Sequence, residues 1–379
     1  MTRYFENIIK ADFKERVNRF VISCEGNGRS IEAYLPNPGR LWELLLPGRS
    51  VYLVKNNTRT GHTAVAVEKD GSIVMLHTHR VNDVARWLIE NNKVPGLEGY
   101  RVLKREYPHG RSRFDFLLGK DKGELLLEVK SCTLFHKGIA MFPDAETKRG
   151  QRHLQELSEV KRAGMDAGVL FLVSTDEVGY FLPEYHTDMD FSLALYRNRE
   201  SLFIEALSLR WNNDLELDSM VRPLQIPWQI LETEMVDRGA YMVVLFVERD
   251  KKIRTGSLGE IPFRRGYYVY VGSAEKALKA RMQRHRRRRK KARWHIDYLR
   301  DHAELVSILP VRSSERLECL IAADMGMIAE DTLRGFGSSD CNCRGHLFYF
   351  SGLPIRDERF VDLLLDYRIG RLRSRICQR

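Results

Sequence analysis

Two strand-like runs in the middle of the chain limit the fold most strongly, because they are apolar and joined by a short connection. They cover Phe114–Leu118 and Glu124–Lys130, and glycines bound the five residues between them. Such runs separated by a Gly-containing connection indicate a β-hairpin. A helix is predicted at about Lys148–Ala163, followed by a buried strand at Val169–Val173. The predicted order is therefore strand, strand, helix, strand.

The geometry of this hairpin predicts which side chains meet. If its turn is centred between Asp121 and Lys122, Asp115 and Glu128 are equally far from the centre and lie opposite each other. Side chains two residues apart on a strand share a face, so Glu128 and Lys130 point the same way. We therefore expect Asp115, Glu128 and Lys130 to converge on one side of the sheet.

This trio has the chemistry of a divalent-metal site. Two neighbouring carboxylates repel each other unless a cation lies between them. Carboxylate oxygens suit Mg²⁺ or Mn²⁺. Such an ion can activate water and neutralise charge on a phosphodiester, while the lysine orients the nucleophile or stabilises the transition state. On the motif alone, a solvated strand face is an equally good interpretation, because E-x-K is common on exposed strands.

The spacing D-x12-E-x-K resembles the core of the PD-(D/E)xK nucleases, and the predicted strand and helix order agrees with it. The resemblance implies that Asp115, Glu128 and Lys130 are catalytic and that the two carboxylates bind the metal. Gln151 opens the predicted helix, where related nucleases often carry a glutamine. The resemblance therefore adds Gln151 to the catalytic set.

Residues 16–80 contain many short strands separated by glycines, which indicates a small β-barrel. Leu41–Leu46 is predicted to be a helical turn. A helix over residues 81–93 follows, with Val81, Val84, Ala85 and Leu88 on one face. Arg40 lies near a turn and is a candidate DNA contact, whereas Trp42 and Tyr52 are predicted to be core. The predicted strands are Val17–Ile22, Ser30–Tyr34, Ser50–Val54, Ala64–Glu68 and Ile73–Leu76.

Four segments of this half resemble the sugar fermentation stimulation protein family. They are LPNPGRLWELLLPG at 35–48, RFDFLL at 113–118, LEVKSCTL at 127–134 and AMFPDAETKRGQRHLQEL at 140–157. The resemblance implies a DNA-binding protein with an OB-type barrel over 1–80 and a nuclease-like domain over 81–225. The family name describes a phenotype and leaves open whether DNA is cleaved.

A second unit is predicted beyond the Pro-containing linker at 222–229. Its segments include YVGSA at 270–274, RHRRRRKKARWHIDYL at 284–299 and FGSSDCNCRGHLFYF at 336–350. They resemble a GIY-YIG endonuclease module over 235–352, in which Ala240 and Val271 replace the signature isoleucines. A basic C-terminal segment is predicted over 353–379, with a single helix at Glu358–Leu372. The overall expectation is an α/β and α+β multidomain protein.

The resemblance to GIY-YIG enzymes implies roles for particular residues. Tyr241 and Tyr270 are expected on adjacent strands, where they position or deprotonate water. Arg281 is expected to clamp phosphate, with His285 as a further catalytic residue. Glu318, on a later helix, is expected to hold one divalent metal. Because tyrosines in strands are usually packing residues, a purely structural role stays open.

The densest charge in the chain is the run 279–293, which contains ten of its 62 lysines and arginines. The formal net charge is +11, so this run nearly equals the whole excess. A nearly unbroken run of one sign would repel itself without a polyanion, and no apolar face suits it to a membrane surface. DNA is the expected partner. The predicted contacts are Arg284, Arg286, Arg287, Arg288, Arg289, Lys290 and Lys291.

The six cysteines are too few for a disulfide framework in 379 residues, so we expect a reducing, cytoplasmic location. Cys341, Cys343 and His346 form C-x-C-x-x-H, which lacks the paired knuckles of common zinc sites. Zinc is therefore not predicted, even with Cys319 as a fourth ligand. These residues are expected to be buried or to close the active site.

Together these features predict a DNA-binding protein with divalent-metal-dependent phosphodiester hydrolysis. The alternatives are a DNA-binding regulator in which neither site turns over and an RNA-processing enzyme. Intact triads at both sites favour the enzyme, and the regulatory name of the resembled family favours the binder. RNA stays open because basic grooves do not distinguish the two sugars by charge. We expect no membrane-spanning segment, since no stretch of 18 apolar residues occurs.

Overall fold

The computed structural model describes residues 2–57, 59–121, 123–288 and 291–377, excluding the side chains of residues 2 and 3. The chain forms two compact units, residues 1–228 and residues 229–379. Within the described residues, no helix combines the length and apolar character needed to cross a bilayer.

The first unit contains sixteen described strands and three helices. Its helices are α1 (Val81–Glu90), α2 (Lys148–Arg162) and α3 (Met189–Arg197). Its strands are β1 (Thr2–Arg3), β2 (Ile8–Asn18), β3 (Val21–Gly26), β4 (Arg29–Tyr34), β5 (Ser50–Lys55), β6 (His62–Lys69), β7 (Ser72–Met75), β8 (Arg101–His109), β9 (Ser112–Lys120), β10 (Gly123–Cys132), β11 (Leu134–His136), β12 (Ile139–Phe142), β13 (Asp166–Val173), β14 (Tyr180–Pro183), β15 (Phe203–Trp211) and β16 (Glu216–Pro223).

The N-terminal strands form the predicted small barrel. Their order is β4-β3-β2-β5-β6-β7, and an added pairing between β4 and β6 closes the sheet. The predicted strand Val17–Ile22 is wrong, because a tight turn divides it between β2 and β3. There the side-chain oxygen of Asn18 accepts a hydrogen bond from the Phe20 N–H at 2.9 Å, which favours the turn over continued pairing.

The central element of the first unit is a seven-stranded sheet with the order β1-β16-β15-β13-β10-β9-β8. The predicted hairpin forms its β9 and β10, and the predicted final strand of the core is β13. The pairs β10–β13 and β13–β15 are parallel, while β9–β10 is antiparallel. The strand, strand, helix, strand order is therefore present, with β11 and β12 inserted before α2. These two strands join β14, which follows β13, in a small separate sheet.

Helices α1 and α2 each bury one face, and in α1 it is the face that the sequence periodicity predicts. In α1, Val81, Val84, Ala85 and Leu88 are all buried. Helix α2 begins after Thr147, whose hydroxyl accepts the Gly150 N–H at 3.0 Å as an N-cap. Its buried face carries Gly150, His153, Leu154, Leu157 and Val160, so a histidine lies within an otherwise apolar stripe.

The second unit is built on a five-stranded antiparallel sheet with the order β21-β17-β20-β23-β22, beside a hairpin of β18 and β19. Its helices are α4 (Trp228–Glu234, which begins one residue before the boundary between the units), α5 (Leu278–Arg286), α6 (His295–Arg300), α7 (Glu318–Ile328), α8 (Glu358–Leu365) and α9 (Leu372–Cys377). Its strands are β17 (Gly239–Val247), β18 (Lys251–Arg254), β19 (Glu260–Phe263), β20 (Gly266–Ala274), β21 (Glu304–Arg312), β22 (Asp331–Thr332) and β23 (Leu347–Phe350).

The C-terminal segment differs from the single helix predicted over Glu358–Leu372. A π-helical turn at Asp366–Gly370 separates α8 from α9. The segment is an integral part of the second unit, because Phe360 and Ile369 are fully buried there. Glu234 is also fully buried, and its carboxylate is hydrogen-bonded by Arg371, by Arg375 and by the Ser314 hydroxyl.

Replacing Glu234 by glutamine should therefore destabilise the second unit. Removing one partner of a buried ion pair leaves uncompensated charge and typically costs about 3–5 kcal/mol. We expect a loss of that order in the free energy of unfolding, measured by urea titration of the full chain. The control is Glu248→Gln, at an exposed residue just beyond β17. Equal stability of the two variants would contradict the docking of the C-terminal segment.

Candidate functional site

The β9–β10 hairpin positions the first candidate centre. Its register runs from Gly123 opposite Lys120 to Leu127 opposite Phe116, and the same register continued by one residue places Glu128 opposite Asp115. At that point β10 bonds to the Asp115 side chain instead of the backbone of β9, because Asp115 Oδ2 accepts the Val129 N–H at 2.7 Å. The hairpin thus ends its ladder where the two carboxylates meet.

Glu128 lies at the centre of this site and is only 4% exposed. Its Oε1 accepts hydrogen bonds from Lys130 Nζ at 2.5 Å and from His153 Nδ1 at 2.7 Å. Its Oε2 is buried and has no hydrogen-bond partner among the described residues. A buried carboxylate oxygen without a partner is costly, so this atom is suited to receive a cation.

Electrostatics distinguish the two carboxylates. Burial, with the charge of Glu128 as a second cause, raises the pKa of Asp115 to about 6, although Val129 N–H and the Asn82 side chain donate to it. Burial alone would also raise the pKa of Glu128, but the hydrogen bond from His153 and the charge of Lys130 hold it below its usual value. Asp115 therefore takes up a proton more readily than an ordinary aspartate does, and a cation between the two carboxylates would oppose this.

Two residues of α2 have unexpected neighbours. Gln151, predicted to be catalytic, donates from Nε2 to Asp188 Oδ1 at 2.7 Å, and Asp188 caps the start of α3. His153 contacts Glu128 instead. Because Arg149 Nε donates to His153 Nε2 at 3.3 Å, the hydrogen-bond pattern assigns the ring proton to Nδ1, facing Glu128. A histidine in the apolar stripe of α2 was the sequence signal for this contact.

Arg40 lies in the loop after β4, with its guanidinium over the ring of Trp42 at 5.1 Å. Trp42 is half-buried, whereas Tyr52 is buried as predicted. Asp144 approaches this loop closely, because its Oδ2 accepts the Leu41 N–H at 3.4 Å and would lie 2.2 Å from a Cβ at Gly39. Only glycine permits this approach, so the LPNPGR segment fixes Arg40 on a constrained loop.

The second candidate centre is a cleft in the second unit. Tyr241 on β17 pairs with Gly272 on β20, and Tyr270 lies opposite Val243, so the two tyrosines are diagonal neighbours with ring centroids 6.4 Å apart. A Cβ at Gly272 would lie 2.6 Å from the Tyr241 hydroxyl. The glycine therefore makes room for this ring. Both rings are mostly buried.

Tyr241 and His285 form one polar contact, with the Tyr241 hydroxyl 2.9 Å from His285 Nε2. Burial raises the pKa of Tyr241 and of Tyr270 above the usual tyrosine value. Both hydroxyls are therefore protonated at neutral pH. In that state each hydroxyl can both donate and accept a hydrogen bond.

The arginines predicted near this cleft separate into two environments. Arg281 lines the cleft, whose volume is about 740 Å³, and its guanidinium lies 4.2 Å from the centroid of the Trp294 ring. Arg284 lies on the same ring but forms two 2.8 Å hydrogen bonds to Asp297, which is buried. The structure thus pairs Arg284 internally rather than presenting it to DNA. Trp294 is a cleft residue that the sequence reasoning did not identify.

Glu318 is the first residue of α7 and lines the same cleft. One carboxylate oxygen accepts from the Ser273 hydroxyl, and the other lies 3.2 Å from His346 Nδ1. His295 also lines the cleft, where its Nδ1 accepts the Gly337 N–H at 3.1 Å and burial lowers its pKa. The fold therefore brings Tyr241, Tyr270, Arg281 and Glu318 to one cleft.

Helix α5 contains only the first part of the basic run 279–293. Helix α5 ends at Arg286, and Arg287, Arg288 and Lys291 continue in extended or irregular backbone with exposed side chains. The predicted DNA contacts Arg289 and Lys290 lie outside the described residues. The exposed cations are thus concentrated on the loop between α5 and α6.

A cluster of cysteines and one histidine lies on the far side of Glu318. The ligand atoms of Cys319, Cys341, Cys343 and His346 all lie within 4.8 Å of one another. Of these four residues, only His346 is buried. Cys319 is exposed, and Cys341 and Cys343 are half-buried. The four residues line or adjoin a second cleft of about 540 Å³ that shares Glu318 with the first.

Comparisons with protein families divide the chain similarly. Residues 15–76 match the SfsA N-terminal OB domain, and residues 79–214 match the sugar fermentation stimulation protein RE domain. The predicted OB-type barrel is thereby confirmed. Residues 240–365 match a domain described as domain of unknown function DUF123, a description that names no activity.

Relatives are similar to the first unit. A sugar fermentation stimulation protein homolog from Methanothermobacter thermautotrophicus is 37% identical over 223 residues, covering 58% of this chain and 92% of the relative. One from Clostridium kluyveri is 39% identical over 202 residues, covering 52% and 88%. The structure of Pyrococcus furiosus SfsA in complex with Ca²⁺ has a TM-score of 0.56 at 32% identity, covering 60% and 99%. This chain belongs to the sugar fermentation stimulation protein family.

Proposed function

We propose that this protein binds DNA and hydrolyses phosphodiester bonds with the help of a divalent metal ion. The observation that carries the proposal is the buried Glu128, whose Oε2 has no hydrogen-bond partner among the described residues, beside the carboxylate of Asp115. The Ca²⁺ complex of the related Pyrococcus furiosus protein supports a divalent ion in this family. Mg²⁺ or Mn²⁺ is the proposed physiological ion.

In this proposal the first centre works as a PD-(D/E)xK nuclease. Asp115 and Glu128 would hold the ion, which supplies Lewis-acid stabilisation of the phosphate and a more acidic water. Lys130 and His153 hold Glu128 Oε1, so the free Oε2 keeps a fixed direction. Lys130, which is only 17% exposed in its side chain, orients the nucleophile or stabilises charge in the transition state.

The second cleft is proposed to act as a GIY-YIG-like centre. Tyr241 and Tyr270 would orient water through their protonated hydroxyls, with His285 as the proton acceptor beside Tyr241. Arg281 would clamp the phosphate, and Glu318 would hold a metal ion. The stacking of Arg281 on Trp294 supports this role, because it restricts the guanidinium while its donors remain directed at the cleft.

DNA is proposed as the substrate because a run of exposed cations lies beside the second cleft, whose own lining carries both charges. Lys276, Arg281 and Arg293 line it, and the exposed arginines after α5 extend the positive surface. When these cations neutralise phosphates, the DNA releases its counterions, and this release drives binding to both duplex and single-stranded DNA. A non-catalytic regulator would share this surface, so cleavage distinguishes the two functions.

The deciding experiment incubates purified protein with duplex, single-stranded and branched DNA in the presence of Mn²⁺, Mg²⁺ or EDTA. We expect cleavage with either metal and none with EDTA. Binding to all three DNA forms without cleavage of any would favour the regulator. Cleavage of matched RNA, but not of DNA, would identify an RNA-processing enzyme instead.

A further inference from the structure

The cluster of Cys319, Cys341, Cys343 and His346 is the strongest feature that the proposed function does not use. We infer that these four residues bind one Zn²⁺ ion in a tetrahedral Cys₃His site. The inference concerns a structural metal site and does not depend on nuclease activity. It replaces the expectation from sequence spacing that zinc is absent.

The distances fit a zinc site. With zinc–sulfur bonds of about 2.3 Å and zinc–nitrogen bonds of about 2.0–2.1 Å, tetrahedral geometry separates sulfur from nitrogen by about 3.6 Å and two sulfurs by about 3.8 Å. Cys341 Sγ and His346 Nε2 lie 3.5 Å apart. No pair of ligand atoms exceeds 4.8 Å, so shifts of about 1 Å complete the site.

The histidine is already oriented for this role. The His346 N–H donates to the Phe336 carbonyl at 2.7 Å, and its carbonyl accepts the Val271 N–H at 2.9 Å, which fixes the backbone beside the sheet. Its Nδ1 faces the Glu318 carboxylate at 3.2 Å, and its Nε2 faces Cys341. A carboxylate that accepts from the other ring nitrogen is the common support of a zinc-bound histidine.

The site would join two elements that border the candidate catalytic cleft. Cys319 is on the first turn of α7, while Cys341 and Cys343 are on the loop before β23. Ser339 and Asp340 of the same loop line the cleft, as does Glu318. Zinc would therefore hold this loop against α7, and through His346 it would position Glu318.

The test measures zinc in the full-length protein by elemental analysis after dialysis against a weak chelator. We expect one zinc per chain in the wild type and none in Cys341→Ser or in Cys319→Ser. Because the side chain of Cys319 is exposed, its replacement should not disturb folding, so misfolding would not explain a loss of zinc in that variant. The matched control Cys377→Ser changes an exposed cysteine of α9 and should keep its zinc. Glu318→Gln should keep one zinc but bind it about 10–100-fold more weakly.

A second measurement identifies the ligands. Replacing zinc with Co²⁺ should give the visible absorption of a tetrahedral cobalt–thiolate centre, which Cys377→Ser retains and Cys341→Ser loses. Wild-type protein without zinc, zinc kept by every variant, iron in place of zinc, or a disulfide among these cysteines in freshly purified protein would each overturn the inference. None of these outcomes depends on DNA cleavage, so failure here leaves the proposed function separately testable.

Discussion

Asp115→Asn and Glu128→Gln should each abolish most of the divalent-metal binding of the first unit. Loss of a group that merely supports a ligand costs about 10–100-fold in metal affinity, so loss of a direct ligand should cost roughly 100-fold or more. Isothermal titration with Ca²⁺ or Mn²⁺ measures this effect without any need for turnover. Metal-dependent cleavage by the first centre should fall at least as far.

The matched control is Glu124→Gln, on the same strand β10 but with an exposed side chain. It removes the same charge and should leave metal affinity unchanged. DNA affinity of Asp115→Asn should stay equal or rise, because the substitution removes a negative charge near phosphate. Unaltered metal affinity in both Asp115→Asn and Glu128→Gln would refute this assignment of the first metal site.

The two centres can be separated by combining substitutions. Tyr241→Phe removes the hydroxyl that contacts His285 and leaves the proposed zinc ligands intact. If both centres cleave DNA, Glu128→Gln and Tyr241→Phe should each remove part of the activity, and the double variant should remove nearly all of it. Activity that survives in the double variant would indicate a contaminant or another site.

Alanine substitution of Arg286, Arg287 and Arg288 should produce the largest loss in DNA affinity. Each cation that contacts a phosphate of duplex DNA contributes about 0.9 to the slope of log K against log salt. The triple variant should therefore flatten this slope by about 2 to 3. Extending the substitution through Lys291 should flatten it further. Fluorescence anisotropy with labelled duplex DNA at several salt concentrations measures both quantities.

A triple variant of equal charge provides the control for this surface. Arg249, Lys252 and Arg254 are exposed residues in and beside the β18 strand, distant in sequence from the basic run. Their replacement by alanine lowers the net charge equally and should change the slope much less. If both triple variants change it by the same amount, net charge rather than the loop after α5 determines binding.

The centre formed by the hairpin was largely predictable because its geometry is local. The turn position fixes which residues of β9 and β10 lie opposite each other, and strand periodicity fixes which side chains share a face. The contact between His153 and Glu128 was not predicted. It depends on how α2 packs against the sheet, whereas the resemblance to known nucleases implies a role for Gln151.

Strand periodicity, helix faces and turn residues belong to neighbouring positions, so the amino-acid sequence alone determined the later barrel strands β4 to β7, the hairpin and the buried stripe of α1. It did not determine β2 and β3, because the turn between them interrupts the predicted strand Val17–Ile22. The sequence also located the excess of positive charge. Tertiary packing decided that Arg284 pairs with Asp297 and that Glu234 meets Arg371, 137 residues further along the chain. It also brought Cys319 to Cys341 and His346, because contacts between distant segments follow from sheet order and helix docking rather than from local spacing.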